Sequence, residues 1–453
     1  MLASVLVTTV SASNGNGISG KPTVEPLLLD DAAMQPKTTT EGGASVVPTT
    51  RTIAHWFGSS LDPHNGITYG YNMVGSDPNH CSGAACSTTI QVDVTPLIVN
   101  IGGMTFDAST GVLDATLASP QFALNDYGST QAATGPNVYT NGPHTGSCTT
   151  LKPYFDVCLP KGPGGTLSQG DAGQLLQLED ATMRAQFNKT GSSAYHLILH
   201  PNVQAPIVVD VPQGQGTLIT SGRGVVGADI SISWWSGMIH NLEQNADPTH
   251  LPLYLTNQVF LYQGKPGNCC VIGYHGTRAT GAGTGNANSN GNAPVQTFAW
   301  SSYVQPGFYS RADGGTDWAL QDIHAISHEI AEWADDPFVN NTVEPWLTPT
   351  APQYGCTSYL ETGDPVVGIG FAMGTNTTDQ TANPWTSSTN QTPSISYDGY
   401  YHPEDEALLP WFMRTAPNTT SEPTQSSSTN IGRYTFMGDL NPFAGFRAPA
   451  TGC

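Results

Sequence analysis

Glycine and proline punctuate this chain so densely, 50 and 34 times in 453 residues, that the sequence predicts short strands joined by turns rather than long helices. Hydrophobic residues at 38% and aromatics at 9% still suffice for a sizeable core, and apolar runs recur to the end of the chain. Charge is scarce. Only 11% of residues are Asp, Glu, Lys or Arg, less than half the roughly 25% of ordinary soluble domains. The 14 Lys+Arg against 35 Asp+Glu leave a net charge of −21, with no basic surface to neutralise phosphates, which argues against nucleic acid and anionic membranes as partners. No apolar stretch reaches the roughly 18 residues of a membrane span.

Eight cysteines form an even set: Cys81, Cys86, Cys148, Cys158, Cys269, Cys270, Cys356 and Cys453. None has the paired spacing of a zinc finger, so disulfides in an oxidising compartment are the expectation, with Cys81–Cys86 and Cys148–Cys158 clipping short loops. Asn188, Asn340, Asn376, Asn390 and Asn418 each open an Asn-x-Ser/Thr triplet, a glycan acceptor suited to surface loops of an exported protein. Gly15-x-Gly17-x-x-Gly20 matches a dinucleotide fingerprint, but Lys21-Pro22 follows where that motif needs a helix.

The chain divides into an extended leader over 1–50, a β-rich part over 51–227 and a third part over 228–453. The apolar, β-branched start MLASVLVTTVSAS lacks the positive residues of a secretory signal. It reads as a strand docked on its own sheet or on a neighbouring copy, the latter being a route to self-association. TTIQVDVTPLIVNIGG, AYHLILHPNVQAPIVVDV and LPLYLTNQVFLYQ read as strands, AGQLLQLEDATMRAQFNK as a helix, and 277–294 as a polar, Gly-rich loop.

The chemistry concentrates in TDWALQDIHAISHEIAEWADDP, residues 316–337. Thr316 or Asp317 can cap a helix and Pro337 ends it, which predicts a helix over 317–334. Leu320, Ile323, Ile326 and Ile330 form its apolar face, while His324, His328 and Glu332 advance by only about 40° each and form a polar stripe. His328-Glu329-x-x-Glu332 has the geometry of the H-E-x-x-H zinc helix, with donors at i and i+4 and Glu329 turned to a water as general base, but with Glu in place of the second His. LETGDP over 360–365 offers Glu361 or Asp364 as a third donor, and Cys356 can staple that loop to Cys269 or Cys270. One imidazole among carboxylates makes a hard site, at which Ca²⁺ or Mn²⁺ competes with zinc. The bland alternative is an i,i+4 pair on a solvated helix face.

SHEIAEWADDPF, the following Trp346 and LETGDP resemble the pattern of the plant phosphate-induced (exordium-like) secreted proteins. They are more similar still to a group of bacterial exported proteins with an HExxE motif, in which GNCCVIGYHG, QTFAWSSYVQPG and YHPEDEALLPWF have counterparts. The resemblance implies an extracellular, zincin-like metalloprotein. It gives Glu329 as catalytic base and His328, Glu332 and Glu361 as zinc ligands, with Asp364 orienting a ligand from behind; His324 continues the stripe behind the ligands. The expected fold is therefore α+β and β-rich, a strand-rich N-terminal part combined with a zincin-like region over 228–453. Two functions follow: a secreted zinc-dependent metallopeptidase, or a non-catalytic extracellular structural or surface protein that keeps the metal helix as a fold element and self-assembles into filaments; the partner expected is a peptide or a cell-surface polymer.

Overall fold

The computed structural model describes residues 12–13, 17–18, 52–126, 175–187, 189, 193–221, 225–266, 269–279, 294–305, 308, 321–347, 356–366, 401–415 and 436. The fold is mixed α+β with strands dominating. In chain order the elements used below are β1 (His55–Leu61), β2 (Thr68–Val74), β3 (Ser87–Ile101), β4 (Met104–Asp107), α1 (Val112–Ala118), α2 (Leu178–Gln186), β5 (His196–Val203) and β6 (Ile207–Asp210). They continue with β7 (Gly216–Thr220), β8 (Val226–Ser231), α3 (Ile232–Leu242), β9 (Leu251–Asn257), β10 (Val259–Tyr262), β11 (Cys269–Val271), β12 (Gly273–Ala279) and β13 (Val295–Tyr303). The last are α4 (His324–Asp335), β14 (Thr342–Leu347), β15 (Cys356–Tyr359) and α5 (Leu409–Phe412).

A seven-stranded sheet is the frame, running β6-β3-β9-β13-β12, with β4 and β5 also paired to β3. Strands β5, β3, β9 and β13 are mutually parallel, and β12 closes one edge antiparallel to β13. Parallel strands covered on both faces read as unbroken apolar runs. LPLYLTN of β9 is buried at every position, Leu253 and Leu255 entering one core while Tyr254 enters the other. Helices α2 and α4 pack on the first face and α3 on the second, where Trp235 stacks edge-on against Trp300. A smaller four-stranded sheet runs β7-β8-β10-β11. Gly102 and Gly103, at φ 59° and 80°, make the two-residue turn between β3 and β4, where a side chain would be strained.

The boundary expected at 227/228 does not divide the fold. Leu251–Leu255 of β9 pair in parallel with Val92–Pro96 of β3, so hydrogen bonds of one sheet cross the proposed border. The helix expected over 317–334 begins at His324 instead, with 317–320 outside the described residues. Asp322 sits at φ 42° just before it, a left-handed conformation that breaks helical continuity there. Strand β12 runs on to Ala279, into the loop expected over 277–294, whose residues 280–293 lie outside the described residues. The docked strand expected over 1–13 also falls outside them, apart from Ala12–Ser13, which pairs with Gly17–Ile18. Among the described residues no helix is long and apolar enough to cross a membrane.

Candidate metal centre

Every residue of α4 is buried, because the helix lies between the sheet, α2 and the segments 356–366 and 401–415. Ile323, Ile326 and Ile330 enter the core as the periodicity requires, with Leu320 outside the described residues. Trp333 also points inward and donates its indole N–H to Thr297 Oγ1 at 2.9 Å. The stripe of His324, His328 and Glu332 is therefore not a solvated face. It meets three other segments of the chain.

From the sheet comes His275 of β12, fully buried, with Nδ1 3.5 Å from Glu329 Oε2 and 3.7 Å from Glu332 Oε2. Its Nε2 lies 3.9 Å from Glu361 Oε2. Period-2 alternation puts Gly273 on the same face of β12. The glycine is needed there, since a β-carbon would come within 2.6 Å of Glu329 Oε1.

From 361–364 come Glu361 and Asp364. The N–H groups of Gly363 and Asp364 donate to Glu332 Oε1 at 3.2 and 3.3 Å, tying this loop to the helix. Glu332 Oε1 is also 3.1 Å from His328 Nε2, and Asp364 Oδ1 is 4.0 Å from the same nitrogen. His328, Glu332 and Asp364 thus present three donors within 4.8 Å of one another. The described donor sets pair Asp364 with His328, whereas Glu361 stands beside His275; the arrangement departs from the set His328, Glu332 and Glu361, because the tight turn at Gly363 aims residue 364 at the helix.

From 401–415 comes Glu404. Asp322 Oδ1 accepts the His402 backbone N–H at 2.9 Å, and Asp322 Oδ2 lies 2.8 Å from His402 Nδ1, which anchors the loop at the start of α4. Ser327 Oγ accepts the Glu404 N–H at 2.9 Å. Glu404 Oε2 then sits 2.7 Å from His328 Nδ1 and 2.8 Å from His324 Nε2. His324 accordingly stands behind His328, sharing its carboxylate.

The electrostatics record a shortage of positive charge. Burial drives the Glu329 carboxyl up to about 7 against the pull of His275 and His328. Burial, with Glu332, also holds Glu361 and Asp364 well above the carboxylate range. Burial likewise disfavours the Glu404 anion, but His324 and His328 outweigh it and hold that carboxyl low. For His328, burial favours the neutral ring, and Glu332 with Glu404 reverse this and raise its pKa well above normal. Several donor atoms have no hydrogen-bond partner: both nitrogens of His275, His328 Nε2, Glu329 Oε2, Glu332 Oε2 and both oxygens of Glu361. Unpaired buried polar atoms are rare and costly, and here they converge.

The sequence reading missed His275 and Glu404. The only local signal for His275 is a Gly-x-His alternation in an otherwise apolar strand. Cys81–Cys86 is a disulfide as expected. The staple from Cys356 to Cys269 or Cys270 is corrected: Cys269 and Cys270 are bonded to each other, and Cys356 is disulfide-bonded to neither. Cys148, Cys158 and Cys453 lie outside the described residues, as do Asn188, Asn376, Asn390 and Asn418. Asn340 is corrected as a glycan acceptor: it is 1% exposed and donates its backbone N–H to Asp336 Oδ1 at 2.9 Å in the interior.

Comparison of the chain with protein-family models, curated proteins and solved structures finds no match.

Proposed function

We propose that this chain is a metal-dependent hydrolase of the zincin type, exported from the cell and acting on peptide bonds, with Glu329 as general base. The observation that carries the reading is the convergence of unpartnered, buried nitrogen and carboxylate atoms around Glu332, a donor set that fits a divalent cation. His328 Nε2, Glu332 and Asp364 would hold the ion, zinc or a harder competitor such as Mn²⁺ or Ca²⁺. Such an ion supplies Lewis acidity that lowers the pKa of water and polarises a carbonyl. Glu404 accepts from His328 Nδ1, which fixes the tautomer that leaves Nε2 bare. Asp364 is the donor with solvent contact, its side chain 20% exposed, and marks the side from which water and substrate arrive. Glu329 takes the proton of the attacking water and returns it to the leaving nitrogen. Export accords with the Cys81–Cys86 disulfide.

The depth of the other donors, none more than 1% exposed, favours a second reading, a closed metal centre that only holds the fold. Elemental analysis joined to a peptide-cleavage assay separates the two. Cleavage by the wild type that disappears in Glu329→Gln while metal stays bound supports the hydrolase. Bound metal without cleavage supports the structural centre, and absence of metal sinks both.

A further inference from the structure

We infer that Glu332 bridges two divalent cations, the second held from the sheet by His275. This deepens the metal-dependent reading above and rests on it.

The two oxygens of Glu332 face different imidazoles: Oε1 lies 3.1 Å from His328 Nε2, and Oε2 lies 3.7 Å from His275 Nδ1. Glu332 belongs to two sets of three donors, each set lying within 4.8 Å of one another: His328 with Glu332 and Asp364, and His275 with Glu329 and Glu332. The sets share only Glu332. One carboxylate between two ions is the arrangement of two-metal sites, whose ions stand about 3.5–4 Å apart.

His275 supplies the independent observation. It is 0% exposed, and neither ring nitrogen has a hydrogen-bond partner, nor does the Glu332 Oε2 it faces. A buried imidazole left so is either a costly defect or a ligand. Its surroundings repeat in part those of His328. Behind His328 stands Glu404, 2.7 Å from Nδ1, and behind His275 stands Glu361, 3.9 Å from Nε2. The Glu404 contact is a hydrogen bond that orients His328, whereas Glu361 is a charge near the far nitrogen of His275 without a hydrogen bond to it. Gly273 keeps the space in front of Glu329 open, as a β-carbon there would strike its carboxylate. Glu329 Oε2 lies 3.5 Å from His275 Nδ1, within reach of the same ion.

Charge points the same way. Glu329, Glu332, Glu361, Asp364 and Glu404 gather against His275, His324 and His328, five acids against three imidazoles, and His275 is the imidazole beside Glu329 and Glu361. Carboxylate-rich donor sets suit Mn²⁺.

The test strips the full-length chain with a chelator, reloads it with MnCl₂ and removes excess ion. Bound manganese is counted by elemental analysis, and the electron paramagnetic resonance spectrum is recorded. Two ions per chain with a spin-coupled spectrum are expected, falling to one ion with an uncoupled spectrum in His275→Ala. One ion in the wild type overturns the bridged pair while leaving the metal-dependent reading intact, and no ion overturns both. Should His275→Ala lose its circular dichroism, the wild-type spectrum decides alone, an uncoupled signal overturning the inference.

Discussion

The backbone of Gly363 lies against the imidazole of His328 so closely that a β-carbon on residue 363 would overlap the ring. The turn therefore sets where His328 can stand, and through its N–H it also holds Glu332 Oε1. Gly363→Ala must push the ring or the turn aside. The expected outcome is a fall in metal affinity of at least about tenfold, the scale on which disturbed ligand orientation acts, measured by competition with a chromogenic chelator. Unchanged affinity would remove His328 from the ligand set.

Glu404 serves two histidines through one oxygen. Glu404→Gln keeps its shape but loses the charge that orients His328. Metal affinity should fall by about 10–100-fold with the fold retained, read by the same competition and by circular dichroism.

A second group of acids lies where α2 meets the end of α4. Burial, with Asp335 and Asp180, holds Glu179 well above the carboxylate range, and burial raises Asp335 from 3.8 to about 7. Such carboxyls keep their protons in the fold at pH values where the unfolded chain has released them. Their contribution to stability is thus full below about pH 4 and is lost as the pH rises through 7. Glu179→Gln should flatten this slope, narrowing the stability difference between pH 5 and pH 8 in denaturant titrations with chelator present. An unchanged slope would show Glu179 ionised in the fold.

Since β3 and β9 are neighbours in one sheet, residues 51–227 and 228–453 should not fold apart. Each piece expressed alone is expected to melt without a cooperative transition, whereas the full chain unfolds in one. A cooperative melt of either piece would restore the boundary.

What the sequence disclosed, and what it hid, follows from the range of each interaction. The metal helix was legible because its donors and apolar face recur at helical spacing within one short segment, from Ile323 to Glu332. Its true start was not, because Asp322 takes its unusual backbone from a contact with His402 far along the chain. The strand runs of β3 and β9 were plain, yet their pairing was hidden, since parallel strands joined through long crossovers leave no local mark. His275 and Glu404 escaped for the same reason: their partners on α4 lie far away in the sequence, and only the packing of β12 and of segment 401–415 against that helix brings them together.

The four segments that supply the acids and histidines of the centre lie far apart in the sequence and meet only when the sheet, α4 and both later loops are in place. Their mutual repulsion is therefore absent while the chain collapses and arrives with the final docking step. Such a late cost leaves the folding rate largely untouched and hastens opening instead. A cation held there would work as a latch, slowing the release of the loops and prolonging the life of the closed molecule.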